Sequence, residues 1–295
     1  MSDLSVMAAR LTEGGRGLLA VDQAPAQLDE VLRRGGVAAT EANRRGLCAL
    51  VLAAPGLDRV AAGVLVDAAV LADRAPLPLL VHGLVPVGVG AALRRPPTGA
   101  DFARRQWVSA PGSTLFEREQ CARQVAEWAS DCQRDGVVPL AGCVVRVGER
   151  DTLTMVSARH ADAVSLVLTA LDRAGVDRAG CLLGLGMPLP GRRAREVATS
   201  EDVARASCAC LRAVGADGIG GVVFSSEGQT RQLAGHLVAM RWLSPPWPIG
   251  FRLGSDVLID VARAWRGRPQ LVAAGQRELL RQLATMSSTM RAAAS

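Results

Sequence analysis

Short, unbroken apolar runs alternate along the chain with longer segments in which apolar positions recur every three or four residues. The runs are "GLLAVD" (17–22), "AAGVLVD" (61–67), "PLLVHGLVPV" (78–87), "ADFARRQWVS" (100–109), "GVVPLAGCVV" (136–145), "GCLLGLGM" (180–187), "GIGGVVFSS" (218–226) and "PIGFRLGS" (248–255). Runs without polar alternation mark strands covered on both faces. Eight of them separated by helices predict an α/β fold, a single (β/α)8 TIM barrel. No low-complexity linker divides residues 1–295, which reads as one domain.

The intervening segments carry their own start and stop signals. In "EREQCARQVAEWASDCQRDG" the positions Cys121, Val125, Trp128 and Cys132 share one helix face, and Gly136 ends it. In "TSEDVARASCACLRAVGADG", Thr199 or Ser200 caps the start, Glu201 and Asp202 suit its positive end, and Gly215 closes it.

The C-terminal ends of barrel strands line the mouth where such folds place their chemistry. That rule nominates Asp22, Asp67, His82, Arg104, Gln106, Cys143, Gly184, Ser225, Ser226, Arg252 and Ser255.

Composition narrows the function classes. The formal charge of +6 rests on Arg alone, because the chain contains no Lys; it also contains no Tyr. The arginines sit beside Asp and Glu on amphipathic segments, as on solvated helix faces, so no nucleic-acid partner is expected. Seven Cys without a CxxC pair fit buried, reduced thiols and a cytoplasmic location. The N-terminus lacks the apolar core of a signal peptide, and no apolar run spans a bilayer, so no membrane association is expected. Three His with no carboxylate at ligand spacing argue against a metal site, and His160 and His236 are expected at exposed helix positions. The glycine clusters match neither a dinucleotide nor a P-loop fingerprint, so no cofactor is expected.

Seven blocks in order resemble the class I fructose-1,6-bisphosphate aldolase family: "GRGLLAVDQ" (15–23), "TEANRR" (40–45), "GADFARRQWV" (99–108), "WASDCQRDGVVPL" (128–140), "GCLLGLGMPLPG" (180–191), "GVVFSSEGQT" (221–230) and "ARAWRGRPQLVAAGQRELLRQLA" (262–284). The resemblance implies the barrel, a small-molecule substrate and a homo-oligomer, for which Trp242 and Trp247 serve equally as interface or surface packing. It also implies a Schiff-base Lys on strand six, where "LLKPNMVTPG" of the family corresponds to "LLGLGMPLPG" here. That Lys falls on Gly184 and the following Asn on Gly186. Arg cannot replace it, since a guanidinium stays protonated.

Other family positions differ as well. The two Glu of "VPIVEPE" fall on Gly142 and Val144, and strand three's Lys and Asp on Leu79 and Val81. "FAKWR" becomes "FARRQ", so Arg104 keeps a cation and Gln106 replaces an Arg. "FSYGR" becomes "FRLGS", which puts Ser255 at the phosphate-binding Arg and brings in Arg252. Asp22 matches the catalytic Asp of strand one. Ser226 matches the phosphate-loop Ser, with Glu227 at the next position repelling an anion.

Lys-to-Arg drift explains none of the changes to Gly, Val and Leu. Two readings stand. In one, the pocket is rebuilt for a substrate less charged than a sugar bisphosphate, as a lyase or cyclase of specialised natural-product metabolism that works without a Schiff base. Asp22 and Arg104 are then catalytic, for proton transfer and oxyanion stabilisation, and Gln106, Ser226, Arg252, Ser255, His82, Cys143 and Gly184 bind substrate. In the other, the protein is an inactive aldolase-like pseudoenzyme with a binding or scaffolding role. Both require Asp22 and Arg104 to meet, because a buried charge is costly unless paired.

Overall fold

The computed structural model describes residues 2–72, 86–90, 99–225 and 230–292. Eight strands follow one another around a closed barrel: β1 (Gly17–Val21), β2 (Ala61–Val66), β3 (Val87–Gly90), β4 (Phe102–Ser109), β5 (Val138–Val145), β6 (Leu182–Gly186), β7 (Gly221–Ser225) and β8 (Ile249–Leu253). Every neighbouring pair is parallel, and β8 closes onto β1 through Leu18 opposite Arg252.

α1 (Asp3–Thr12) precedes the barrel. The β1–β2 connection holds α2 (Pro25–Arg34), α3 (Glu41–Leu52) and α4 (Leu57–Val60), and α5 (Ala68–Ala72) follows β2. The next four strands, β4 to β7, are followed by α6 (Leu115–Arg134), α7 (Leu153–Arg173), α8 (Ser200–Ala213) and α9 (Thr230–Trp242). The chain ends with α10 (Ser255–Trp265) and α11 (Val272–Ala292). Thr199 caps α8 by accepting from the Asp202 N–H, and Thr114 caps α6 by accepting from the Glu117 N–H. Gly136 and Gly215 adopt the left-handed conformation after their helices (φ 74° and 65°), which only Gly takes without strain.

Strand three departs from the sequence pattern. The apolar run 78–87 meets the strand only at its last residue, Val87, and residues 78–85 lie outside the described part. The strand itself reads Val-Gly-Val-Gly. A Cβ on Gly88 would stand 2.5 Å from the Phe102 ring, so the bulk that a larger strand residue would supply comes from its partner on the adjoining strand β4.

Side-chain alternation divides the core in two. Leu18, Ala20, Leu65, Phe102, Val138, Leu140, Leu182 and Val223 fill the barrel interior, and Ala8 and Leu11 of α1 join them from below. A larger cluster packs the outer strand faces against the helices. With its lower end plugged by α1 and its layers filled, the barrel interior leaves space at the upper end, where the strands terminate. Among the described residues, no helix is long and apolar enough to cross a membrane.

Candidate active site

Inward positions repeat every second residue, so the last inward residues of each strand ring the mouth. Around a cavity of about 420 Å³ stand Asp22, Gln23, Gln27, Arg104, Gln106, Val108, Val144, Arg252, Gly254 and Ser255. Asp22 follows β1, Arg104 and Gln106 lie two apart on β4, and Arg252 lies on β8. Ser255 opens α10, whose positive N-terminus therefore borders the cavity.

One hydrogen-bonded chain organises this ring. Arg104 Nη2 donates to Asp22 Oδ2 at 2.7 Å, and Arg104 Nη1 donates to Gln106 Oε1 at 3.2 Å. The Asp22 side chain is 3% exposed and that of Arg104 21%, so the ion pair is largely shielded from water. With its carbonyl oxygen on Arg104, Gln106 turns its amide NH2 the other way. A Cβ on Gly184 would stand 2.9 Å from that nitrogen. The carboxamide of Gln106 thus occupies the space above the strand-six position that carries the family's Lys. Among the described residues, Arg104 Nε and Gln23 Oε1 of the ring are enclosed without a partner. Gln23 donates its own amide to the Ala20 carbonyl at 3.0 Å.

The glycines around the mouth differ in what fills their places. A Cβ on Gly90 would fall on Asp22 Oδ2, so the carboxylate leans over β3 into room that any side chain would deny it. A Cβ on Gly142 would fall on the Gly184 carbonyl oxygen. There the obstacle is backbone, and no side chain fits unless β5 and β6 part.

Several sequence expectations meet the structure differently. Cys143 does not face the cavity: Gly142 and Val144 take the inward parity, and Cys143 points into the helical shell, fully buried. Burial, with Cys210 nearby, pushes its thiol up to about 12, which removes it as a substrate-binding or nucleophilic group. His160 and His236 are buried, 3% and 6% exposed, against the exposure expected of them. Burial and the neighbouring Arg159 bring His160 down to about 4, and burial lowers His236. Ser225 is buried on β7, its Oγ donating to the Leu185 carbonyl at 3.2 Å. His82, Ser226, Leu79 and Val81 lie outside the described residues. Leu79 and Val81 precede β3, so the strand-three position beside Asp22 is Gly90 instead. Gln23 and Gln27 join the site unannounced, although their place directly after Asp22 and on the first turns of α2 is a usable signal. Among the described residues, no group of three or more His, Cys, Asp or Glu could hold a metal ion.

Comparison with known proteins places this geometry in context. Residues 96–293 match the family model "Fructose-bisphosphate aldolase class-I". A probable class 1 fructose-bisphosphate aldolase of Xanthomonas campestris is 27% identical, over 90% of each chain. Chloroplastic fructose-bisphosphate aldolase 2 of Arabidopsis thaliana is 29% identical over 94% of this chain and 78% of its own. Among solved structures, the fructose-bisphosphate aldolase of Plasmodium falciparum superposes with a TM-score of 0.88 and 23% identity. The superposition covers 97% of this chain and 93% of that one.

Proposed function

We propose, for a chain that belongs to the class I fructose-bisphosphate aldolase family, a carbon–carbon lyase or cyclase activity that proceeds without a Schiff base and serves specialised metabolism. The observation that carries this reading is the Asp22–Arg104–Gln106 chain bordering an open cavity, with an amide N–H where the family has its amine. A covalent iminium needs a primary amine on the barrel, and the sequence has no Lys to provide one.

The same ring can perform the reaction through hydrogen bonds. Asp22 Oδ2 is engaged by Arg104, and among the described residues Oδ1 accepts no hydrogen bond, so Oδ1 takes a proton from a β-hydroxyl of the substrate. The bond between the carbinol carbon and the α-carbon then breaks, leaving an aldehyde or ketone. Its electron pair moves into the substrate carbonyl to give an enolate oxygen. The Gln106 NH2 and the Arg104 guanidinium hold that oxygen; donors of this kind contribute on the order of 10² to 10³ in rate each. Reprotonation of the enolate carbon completes cleavage, and attack of that carbon on a second carbonyl of the same molecule gives cyclisation. Arg252 and Ser255 at the start of α10 suit a single polar or anionic group, while Val108 and Val144 face a less polar part of the substrate. This lining supports a substrate less charged than a sugar bisphosphate.

A panel of β-hydroxyketones and β-hydroxy-keto acids incubated in D2O and followed by NMR tests the proposal. Cleavage or α-carbon exchange is expected with the parent protein, and Asp22→Asn should lower it by about 10² to 10⁴. Borohydride trapping with the same ketones should leave no side-chain adduct by mass spectrometry. An adduct, or fructose 1,6-bisphosphate cleavage that survives Asp22→Asn, would overturn it.

A second reading, a non-catalytic binding protein, is favoured by one observation: Asp22 is almost wholly enclosed and already paired, as an ion pair that simply closes the barrel would be. Tight binding of a panel member at the mouth without turnover or exchange would favour that reading.

A further inference from the structure

A second opening lies at the other end of the barrel. An open groove of about 1060 Å³ runs between the end of α9, the segment leading into β8 and the end of α11. Arg241, Trp242, Ser244, Trp247 and Thr289 supply its polar and aromatic lining, and no carboxylate is among the described lining residues.

Arg241 is anomalous there. Every other Arg or Lys charge in a folded protein that loses part of its hydration is expected to find an anion or a set of carbonyls in return. Among the described residues, Arg241 has no ion pair and no side-chain hydrogen bond, and its Nε is closed off from solvent unpartnered. Its neighbour in the same region, Arg212, shows the ordinary solution: Nη2 donates to the Leu243 carbonyl at 3.0 Å. Burial without an opposing charge lowers the pKa of Arg241. Trp247, only 3% exposed, adds a second orphan donor to the same wall, its indole Nε1. Beside them Trp242 presents its ring to solvent at 78% exposure, an unusual cost for the largest apolar side chain.

A cation and an N–H that lack acceptors, next to a bare aromatic face, are complementary to a ligand with negative oxygens on a flat apolar body. We propose that this groove is a second binding site, for a small aromatic oxyanion whose charged oxygens meet Arg241 and whose ring lies on Trp242. The site is independent of the chemistry assigned to the mouth, which opens at the opposite end of the strands.

Titration calorimetry with 2-naphthoate, 2-naphthyl phosphate and the neutral 2-naphthamide tests it on the full chain. One or both anions should bind at least about tenfold tighter than the amide, the ratio that one desolvated charge-assisted contact supports; the comparison of the two anions separates carboxylate from phosphate recognition. Arg241→Gln should erase that ratio while leaving amide binding unchanged, Arg241→Lys should retain most of it, and Trp242→Ala should weaken all three probes. Equal affinity for anions and amide, or a ratio that persists in Arg241→Gln, would overturn the proposal. So would sedimentation velocity showing an oligomer that Trp242→Ala dissociates, because the groove would then be occupied by a second copy of the chain.

Discussion

Asp22 holds its place because two neighbours and their setting agree on it: Gly90 makes room for its carboxylate, Arg104 balances its charge, and the enclosure weakens competition from water. Removing only the cation leaves a buried carboxylate unpaired, so Arg104→Gln should lose about 3 kcal/mol or more of unfolding free energy. The double variant Asp22→Asn/Arg104→Gln should lose clearly less than the two single losses combined. Urea denaturation of the four proteins measures the coupling, and additive losses would show that the pair contributes nothing to the fold. The meeting of these two residues was legible, since Asp22 ends the first apolar run and Arg104, inside the fourth, shares the inward parity of Phe102. Cys143 was misread by one residue of that same parity. His160 was misread for another reason: it falls in the series Val156, His160, Ala163, Val164 and Val167 on the inner face of α7, a spacing visible in the sequence and overruled by the polarity of histidine. Its burial has a thermodynamic consequence. With a folded pKa near 4 against an unfolded value near 6.5, the unfolded chain binds the proton first, so stability falls as pH drops through that window. Between pH 7 and pH 5 the loss from this residue should be about 2 kcal/mol, with His236 acting in the same direction. His160→Leu should show a flatter pH dependence in denaturation midpoints.

Strands β5 and β6 meet at Gly142 and Gly184. The two glycines are not equivalent. At Gly184 the nearest obstacle is the end of the flexible Gln106 side chain, at 2.9 Å, whereas at Gly142 it is the backbone of the adjoining strand. Gly184→Ala should therefore cost under about 1 kcal/mol, and Gly142→Ala more than about 3 kcal/mol, if it folds at all. Chemical denaturation distinguishes the two, and similar costs would mean that β5 can move away from β6. A side chain at 142 is accordingly a backbone problem, while one at 184 demands that the Gln106 side chain swing aside and Leu140 give by a few tenths of an ångström. At this scale the sequence was informative wherever a strand buries bulk: β1, β2 and β4 to β8 all fall within apolar runs. β3 escaped because its two glycines leave their space to Phe102 and Asp22, so the strand has little hydrophobic signature, and a stronger apolar run just upstream drew the prediction away from it.

Across the whole molecule, the same two-layer packing that forms the mouth also hides the thiols. None of the seven Cys forms a disulfide; Cys132, Cys143, Cys181, Cys208 and Cys210 are buried, and Cys48 and Cys121 are half-buried. Burial raises Cys132, Cys143 and Cys181 to about 12, and Cys48 and Cys210 to about 11. Since the thiolate is the reactive form, these groups are inert to a disulfide reagent at neutral pH until the helices leave the barrel. They lie on α3, α6, β5 and α8 and, for Cys181, immediately before β6, and so report on separate parts of the ring. A barrel whose last strand pairs with its first has no edge at which one part can detach while the rest stays closed, so the closed topology predicts that the chain unfolds as one cooperative unit. Native protein treated with an aromatic disulfide should accordingly show one accessible thiol, Cys121, and in increasing urea the remaining six should become reactive together, at the midpoint where far-ultraviolet circular dichroism is lost. Release of the Cys181, Cys208 and Cys210 thiols at a lower urea concentration than those on α3 and α6 would mean that the barrel opens in halves, and the reading of the chain as one domain would be wrong.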